Sequence, residues 1–373
     1  MATVEISPII GLQSASLTDI IETVKSDSFR IRWHQFKGSF PRFSQLPNLF
    51  KVASGYCLTY LTKRDFHWGL PFVLMVEPSS LCNLRCPLCP AGTGELRRTE
   101  ALLSIDSFRE VLEEVGHQIK LLLLWNQGEP FLHEGLLEMI RLAKHRGIYV
   151  KTSTNGHFIN TEDQAGEIID SGLDEIIISI DGADSETYRK YRLGGSFEKV
   201  TRGVELLASQ KRERKSLTPI IDLQMLLTRD TEGRIEEMKR HARNWDADIL
   251  SLKTLQVTNL KQAEEFLPED SSKRRYEKTQ KGLKTKSKNH KGCRRLYYSL
   301  VINSDGKVSP CCFDKLGKYS FGELSLNGNL AGVWRGEDFK RFRIALLDNS
   351  HAFDICKNCS EGLENLYYRR LYL

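Results

Sequence analysis

From Phe72 onward, short apolar, β-branched runs alternate with longer stretches whose apolar residues recur at helical spacing. The runs Phe72 to Glu77, Leu121 to Trp125, Tyr149 to Ser153, Glu175 to Ile180, Ile220 to Leu226 and Ile249 to Thr254 are predicted strands. Ser107 to Val115, Glu134 to His145, Glu162 to Ile169, Phe197 to Gln210 and Glu232 to His241 are predicted helices. Strict alternation of this kind predicts a parallel sheet with right-handed crossovers, as an incomplete barrel or a doubly wound sheet. Either architecture puts its active site beyond the C-terminal ends of the strands.

Outside this region the pattern changes. Residues 1–70 mix aromatic, basic and polar residues without a sustained period and are read as an N-terminal extension, with a helix expected over Leu17 to Val24, capped by Ser16. Within it Cys57 sits among apolar neighbours and is expected to be a packed core residue. The core barrel or sheet is assigned to 71–258. A basic stretch from Lys273 to Arg295, including Lys278, Lys281, Lys284, Lys286, Lys288 and Lys291, marks 259–292 as a linker, with a site for an anionic substrate or partner as the alternative. The last unit, 293–373, opens with a hairpin predicted around Ser304-Asp305-Gly306. No internal repeat is evident.

Composition narrows the class. A chain of 373 residues with 40% hydrophobic residues can bury a sizeable core, and a net charge of +6 fits an anionic small molecule or an acidic peptide as readily as nucleic acid. The N-terminus lacks a basic segment followed by an apolar one, and no apolar run is long enough to cross a bilayer, so a cytoplasmic location and no membrane span are expected. Nine cysteines without a secretion signal point to reduced thiols used for metal binding or catalysis.

Cys82, Cys86 and Cys89 form a C-x3-C-x2-C loop directly after the first predicted strand. Three such thiolates can bind three irons of a cubane and leave the fourth open to a chelating substrate. An incomplete zinc site is the alternative, although the loop has no nearby histidine. This loop resembles the signature of the radical S-adenosylmethionine (SAM) superfamily, with Leu88 where the family usually has an aromatic residue. Three further stretches, at successive strand ends, resemble the family's SAM-binding motifs. They are Gln127-Gly128-Glu129-Pro130, with Gln127 in place of a glycine, then Ser153-Thr154-Asn155-Gly156, then Ser179-Ile180-Asp181-Gly182 with Tyr188 to Arg192.

The resemblance implies an α/β fold, a partial (β/α)6 TIM-like barrel, with a 4Fe-4S cluster on Cys82, Cys86 and Cys89. It implies SAM contacts at Gly128, Glu129, Ser153, Asn155, Ser179 and Arg192. Near the C-terminus, Cys293, the Asp305-Gly306 to Cys311-Cys312 stretch and Cys356-Lys357-Asn358-Cys359 look like the SPASM/Twitch extension, a small cysteine-rich iron-sulfur domain. The candidate ligands there are Cys293, Cys311, Cys312, Cys356 and Cys359, enough for one auxiliary 4Fe-4S cluster and too few for two. Adjacent side chains on an extended strand point to opposite faces, so one of Cys311 and Cys312 is left over. Tetrahedral zinc on four cysteines is the structural alternative.

The function expected is reductive cleavage of SAM to a 5'-deoxyadenosyl radical, followed by hydrogen abstraction from a peptide or a small, sugar-like molecule. Oxidation, cross-linking or epimerisation would follow, with a low-potential donor such as a flavodoxin or ferredoxin supplying the electron. A non-catalytic iron-sulfur or zinc protein is the rival from another class; it leaves the Glu, Ser, Asn and Arg at consecutive strand ends unexplained. No recognisable RNA-binding motif supports a nucleic-acid partner.

Overall fold

The structure is a computed structural model that describes residues 27–280, 282–287, 292–324, 329–349, 351–357, 359 and 368–373. The helix expected over Leu17 to Val24 and the cations Lys281, Lys288 and Lys291 lie outside them.

All six predicted strands form, as β1 (Val73–Val76), β2 (Leu121–Leu124), β3 (Tyr149–Thr154), β4 (Glu175–Ser179), β5 (Ile220–Leu227) and β6 (Ile249–Thr254). They lie side by side in chain order and pair in parallel throughout. A doubly wound sheet would reverse its strand order at a switch point; this order does not reverse, so the incomplete barrel is the architecture. The predicted crossover helices also form, including Ile105–Val115, Leu136–His145, Glu162–Asp170, Phe197–Glu213 and Ile235–Asn244. One face of the sheet packs on them: Leu74, Leu122, Leu124, Ile176, Leu223 and Leu250 are fully buried with Phe108, Val115, Met139 and Val204. The opposite face lines the barrel lumen, where Lys151 pairs with Glu175 at 2.8 Å and Arg370 bridges Glu175 and Asp222. Burial alone would raise the Glu175 carboxyl, but Lys151 and Arg370 outweigh it and hold it below the ordinary range.

The residues after the barrel do not stand apart from it. A strand at Ser299–Ile302 runs parallel beside β1, and Tyr368–Tyr372 runs antiparallel beside β6, so both edges of the six-stranded core are covered by the C-terminal part of the chain. The hairpin expected at Asp305-Gly306 is present: Ile302 pairs antiparallel with Val308, and Gly306 has φ 77°, the left-handed turn position.

Two expectations are corrected. The basic stretch is no plain linker in its described part: a helix at Leu260–Phe266 and a two-stranded hairpin, Tyr276–Thr279 with Gly282–Thr285, form there. The reason is a small apolar core of Leu255, Val257, Ala263, Phe266, Leu267 and Tyr276 that the charge run conceals; Leu88 of the cysteine loop packs against it. Cys57 is exposed rather than packed. The helix Leu46–Thr62 buries Asn48, Val52, Gly55 and Thr59, and Cys57 falls on the opposite face. A preceding helix, Asp27–Ser39, caps the barrel floor: Gln35 donates to Glu175 at 2.9 Å, His34 lies 3.1 Å from Asp174, and Gly38 approaches so closely that a Cβ would sit 1.9 Å from the Tyr149 ring.

Candidate active site at the barrel mouth

The strand-end motifs meet. Gly128, after β2, has φ 71°, and a Cβ there would lie 2.3 Å from the Ser79 carbonyl oxygen, so only glycine lets this turn press on the chain entering the cysteine loop. The Glu129 amide then donates to the Leu81 carbonyl at 2.7 Å. Its carboxylate is 1% exposed and accepts from the Thr154 hydroxyl and the Asn155 amide, both at 2.7 Å, and from the Phe131 amide at 3.1 Å. Burial outweighs these donors and pushes the carboxyl up to about 7. Asn155 in turn donates to the Asn83 side chain at 2.7 Å, inside the cysteine loop.

After β4, Asp181 is fully buried and receives the Leu226 amide at 2.7 Å and the Arg192 guanidinium, whose Nε lies 2.7 Å from Oδ2. Nη1 of Arg192 lies 3.8 Å from the Cys86 sulfur. The loop's backbone is tied to the same segment, since the Arg85 amide donates to Leu193 at 2.9 Å. Ser153 and Ser179 belong to the lumen face: each is two residues, or four, beyond Lys151 and Glu175, which meet across that face. Of the loop thiols Cys86 is buried, and burial pushes it up to about 11; burial also raises Cys82. The Cys89 sulfur lies 3.9 Å from the Gln127 side chain, the residue that replaces a glycine of the family motif.

A network without a sequence motif underlies this mouth. Glu77, the residue after β1, is fully buried and accepts Arg98 Nε at 2.8 Å, the Gln127 amide at 3.0 Å and the Ser304 amide at 3.3 Å. Arg98 also reaches Asn303 Oδ1 at 3.2 Å and the Lys315 carbonyl at 3.0 Å. The first strand end, the Gln127 turn and the C-terminal hairpin are thereby held together. The Lys315 amine lies among Cys89, Cys312, Lys253 and Arg275, and burial, followed by those two cations, lowers its affinity for a proton.

The C-terminal thiols gather separately. Cys293, Cys311, Cys356 and Cys359 line one small apolar cavity with Phe313, Phe342 and Ile355. Cys312 is not part of that lining; its sulfur lies 3.4 Å from Nη1 of Arg295, a residue at the cavity's edge. Burial, then the neighbouring Cys293 and Cys359, pushes Cys356 up to about 12, and burial raises Cys311 strongly. Among the described residues no three His, Cys, Asp or Glu side chains stand at metal-ligating geometry. The donor chemistry nonetheless fits a metal in both places, because grouped thiols give up their protons to a bound cation.

Comparison with known proteins agrees with this geometry. The Radical SAM superfamily model matches residues 76–242, and an iron-sulfur cluster-binding domain model, SPASM, matches residues 293–360. A tungsten-containing aldehyde ferredoxin oxidoreductase cofactor-modifying protein of Pyrococcus furiosus is 24% identical over 77% of this chain and 86% of its own length. The PqqA peptide cyclase of Rhodopseudomonas palustris is 26% identical over 74% and 77%. Among solved structures, native anSMEcpe with bound AdoMet superposes with a TM-score of 0.54 at 18% identity, covering 79% of this chain and 92% of that one. Cysteine loop, strand-end motifs and sheet order thus coincide with the matched models, and the chain belongs to the radical SAM superfamily, as an enzyme with a C-terminal SPASM iron-sulfur domain.

Proposed function

We propose that this enzyme uses SAM bound at Cys82, Cys86 and Cys89 to take a hydrogen atom from a peptide or small-molecule substrate held in the barrel lumen. When bound, the 4Fe-4S cluster and SAM supply one-electron cleavage of SAM to a 5'-deoxyadenosyl radical. The chain's own groups prepare that chemistry. The Gly128 turn and the Glu129 carboxylate receive the methionine ammonium, Ser153 and Asn155 the ribose hydroxyls, and Ser179 and Arg192 the remaining polar groups of SAM. Arg192, already balanced by Asp181, sets a positive charge beside Cys86. Cys293, Cys311, Cys356 and Cys359 hold one auxiliary cluster, and Cys312 is not among its ligands. The barrel core is 71–258 and the auxiliary unit 293–373, with 1–70 before and 259–292 between them.

The observation that carries this reading is the chain of contacts from Glu129 to Asn155 to Asn83, which locks two strand-end motifs to the cysteine loop. A peptide substrate is favoured by the PqqA peptide cyclase among the relatives. A flavodoxin or ferredoxin in the cytoplasm supplies the electron. The test is anaerobic reconstitution with iron and sulfide, reduction with dithionite, and assay of 5'-deoxyadenosine beside Cys86→Ala. Product from the wild type alone supports the assignment; equal product from Cys86→Ala overturns it.

A further inference from the structure

The four most exposed large apolar side chains among the described residues lie in one segment. Phe43 is 91% exposed, Leu61 75%, Phe50 73% and Phe40 58%, and Trp33 and Leu46 also face outward. All belong to the two helices before the barrel and the turn between them. On the helix Leu46–Thr62, one face is buried through Asn48, Val52, Gly55 and Thr59. Leu46, Phe50, Ala53, Cys57 and Leu61 recur on the other face at spacings of three and four and are all exposed, so this helix carries a second, outward apolar stripe. Upstream, Phe29, Trp33, Phe36 and Phe40 stack in succession along the helix Asp27–Ser39. A monomer surface rarely leaves so many large apolar side chains of one short segment exposed without a partner.

Charge says what that partner is. Between Ser28 and Arg64 the sequence contains no acidic residue, while Arg30, Arg32, Lys37, Lys51, Lys63 and Arg64 are exposed. Lys37 lies 5.2 Å over the Trp33 ring, and Lys51 directly follows Phe50. Exposed Trp, Phe and Leu bordered by Lys and Arg is the composition of a segment lying in the headgroup region of an anionic bilayer. No helix of the described residues is long and apolar enough to cross a membrane, so the contact is peripheral.

The placement is suitable. Gln35 and His34 fix one helix beneath β3 and β4, and the Gln45 side chain donates to the carbonyls of His117 and Ile119 just before β2. The patch is therefore on the barrel floor, opposite the mouth that holds the cysteine loop.

We propose that the barrel floor docks on an anionic lipid surface, inserting Phe40, Phe43 and Phe50 while the mouth faces the aqueous side. This is independent of the catalytic reading. The test is flotation of the full-length chain with vesicles of phosphatidylcholine alone or mixed with phosphatidylglycerol. The wild type is expected to float with the phosphatidylglycerol mixture and not with phosphatidylcholine. Phe43→Ser/Phe50→Ser should weaken binding by at least about tenfold, because each exposed ring loses its transfer into the interface. Lys37→Glu/Lys51→Glu should remove the preference for anionic lipid while leaving the melting temperature unchanged. Failure of the wild type to float with either vesicle overturns the proposal, and so does a Phe43→Ser/Phe50→Ser chain that floats as the wild type does. A wild-type dimer that this double substitution converts to monomer also overturns it, since a second copy would then cover the face.

Discussion

The proposed contact between Glu129 and the SAM ammonium would make SAM binding a proton-coupled event. Its carboxyl is buried, and burial raises it from the ordinary 4.5 to about 7 despite three donors. At neutral pH about half of the free enzyme carries a proton there, while a bound methionine ammonium requires the carboxylate. If ionisation is complete in the complex, the fraction of free enzyme ready to bind rises about tenfold between pH 6 and pH 8, and the apparent dissociation constant falls by about the same factor. Binding below pH 7 should release close to one proton. The assay is titration calorimetry with SAM on the cluster-loaded enzyme, in buffers of differing ionisation enthalpy, beside Glu129→Gln. The variant should bind more weakly and lose this part of the pH dependence; any titration of SAM itself is common to both proteins and cancels in the difference. Identical pH slopes in the two proteins would refute the assignment of the ammonium contact. The same shift acts on folding with a fixed sign. Because the folded value lies above the unfolded one, the stability it contributes is complete below about pH 4.5 and is lost as pH rises through 7. The ligand-free enzyme should therefore lose stability over the range in which it gains affinity.

The buried pair Glu77 and Arg98, 2.8 Å apart and almost fully enclosed, predicts that Arg98→Met costs about 3–5 kcal/mol in urea unfolding, with Glu77→Leu/Arg98→Met recovering part of it; a cost below about 1 kcal/mol would contradict the network. The orientation of the adjacent thiols predicts that Cys311→Ser loses the auxiliary cluster's absorbance and iron, about four atoms per chain, while Cys312→Ser retains them; the reverse pattern would exchange their roles.

Much of the barrel was legible because its strands are short, apolar and separated by amphipathic helices, a pattern local to each segment. Ile249–Thr254 forms over the residues expected, and the other five strand boundaries differ by a residue or so. The helices before the barrel were not legible. Their buried faces include small and polar residues such as Asn48, Gly55 and Thr59 beside Ile31 and Val52, while further large apolar residues occupy the outward face, so no single apolar face stands out in the sequence. The cysteine loops and strand-end motifs could be found from spacing, and Asp181 and Asn83, now seen to anchor Arg192 and Asn155, lay within the same stretches. Glu77, Arg98 and Asn303 could not be found that way. Their chemistry is a contact between residues distant in sequence, and no spacing within one segment encodes it. The choice between Cys311 and Cys312 likewise depends on where Arg295 and Phe342 pack around the thiols.

The strands at Ser299–Ile302 and Tyr368–Tyr372 give the order of synthesis a structural meaning. As the chain emerges from a ribosome, β1 and β6 are complete long before the segments that cover them. The half-barrel then carries two bare edges whose amides and carbonyls can recruit any passing strand. The strand Tyr368–Tyr372 acts as a fastener on the far edge, pairing Tyr372 with Ile249 only after the more than one hundred residues between them have been made. A chain truncated before Tyr368 would keep every residue assigned here to the SAM site and still present one adhesive edge, so its fate is to be decided by aggregation before catalysis.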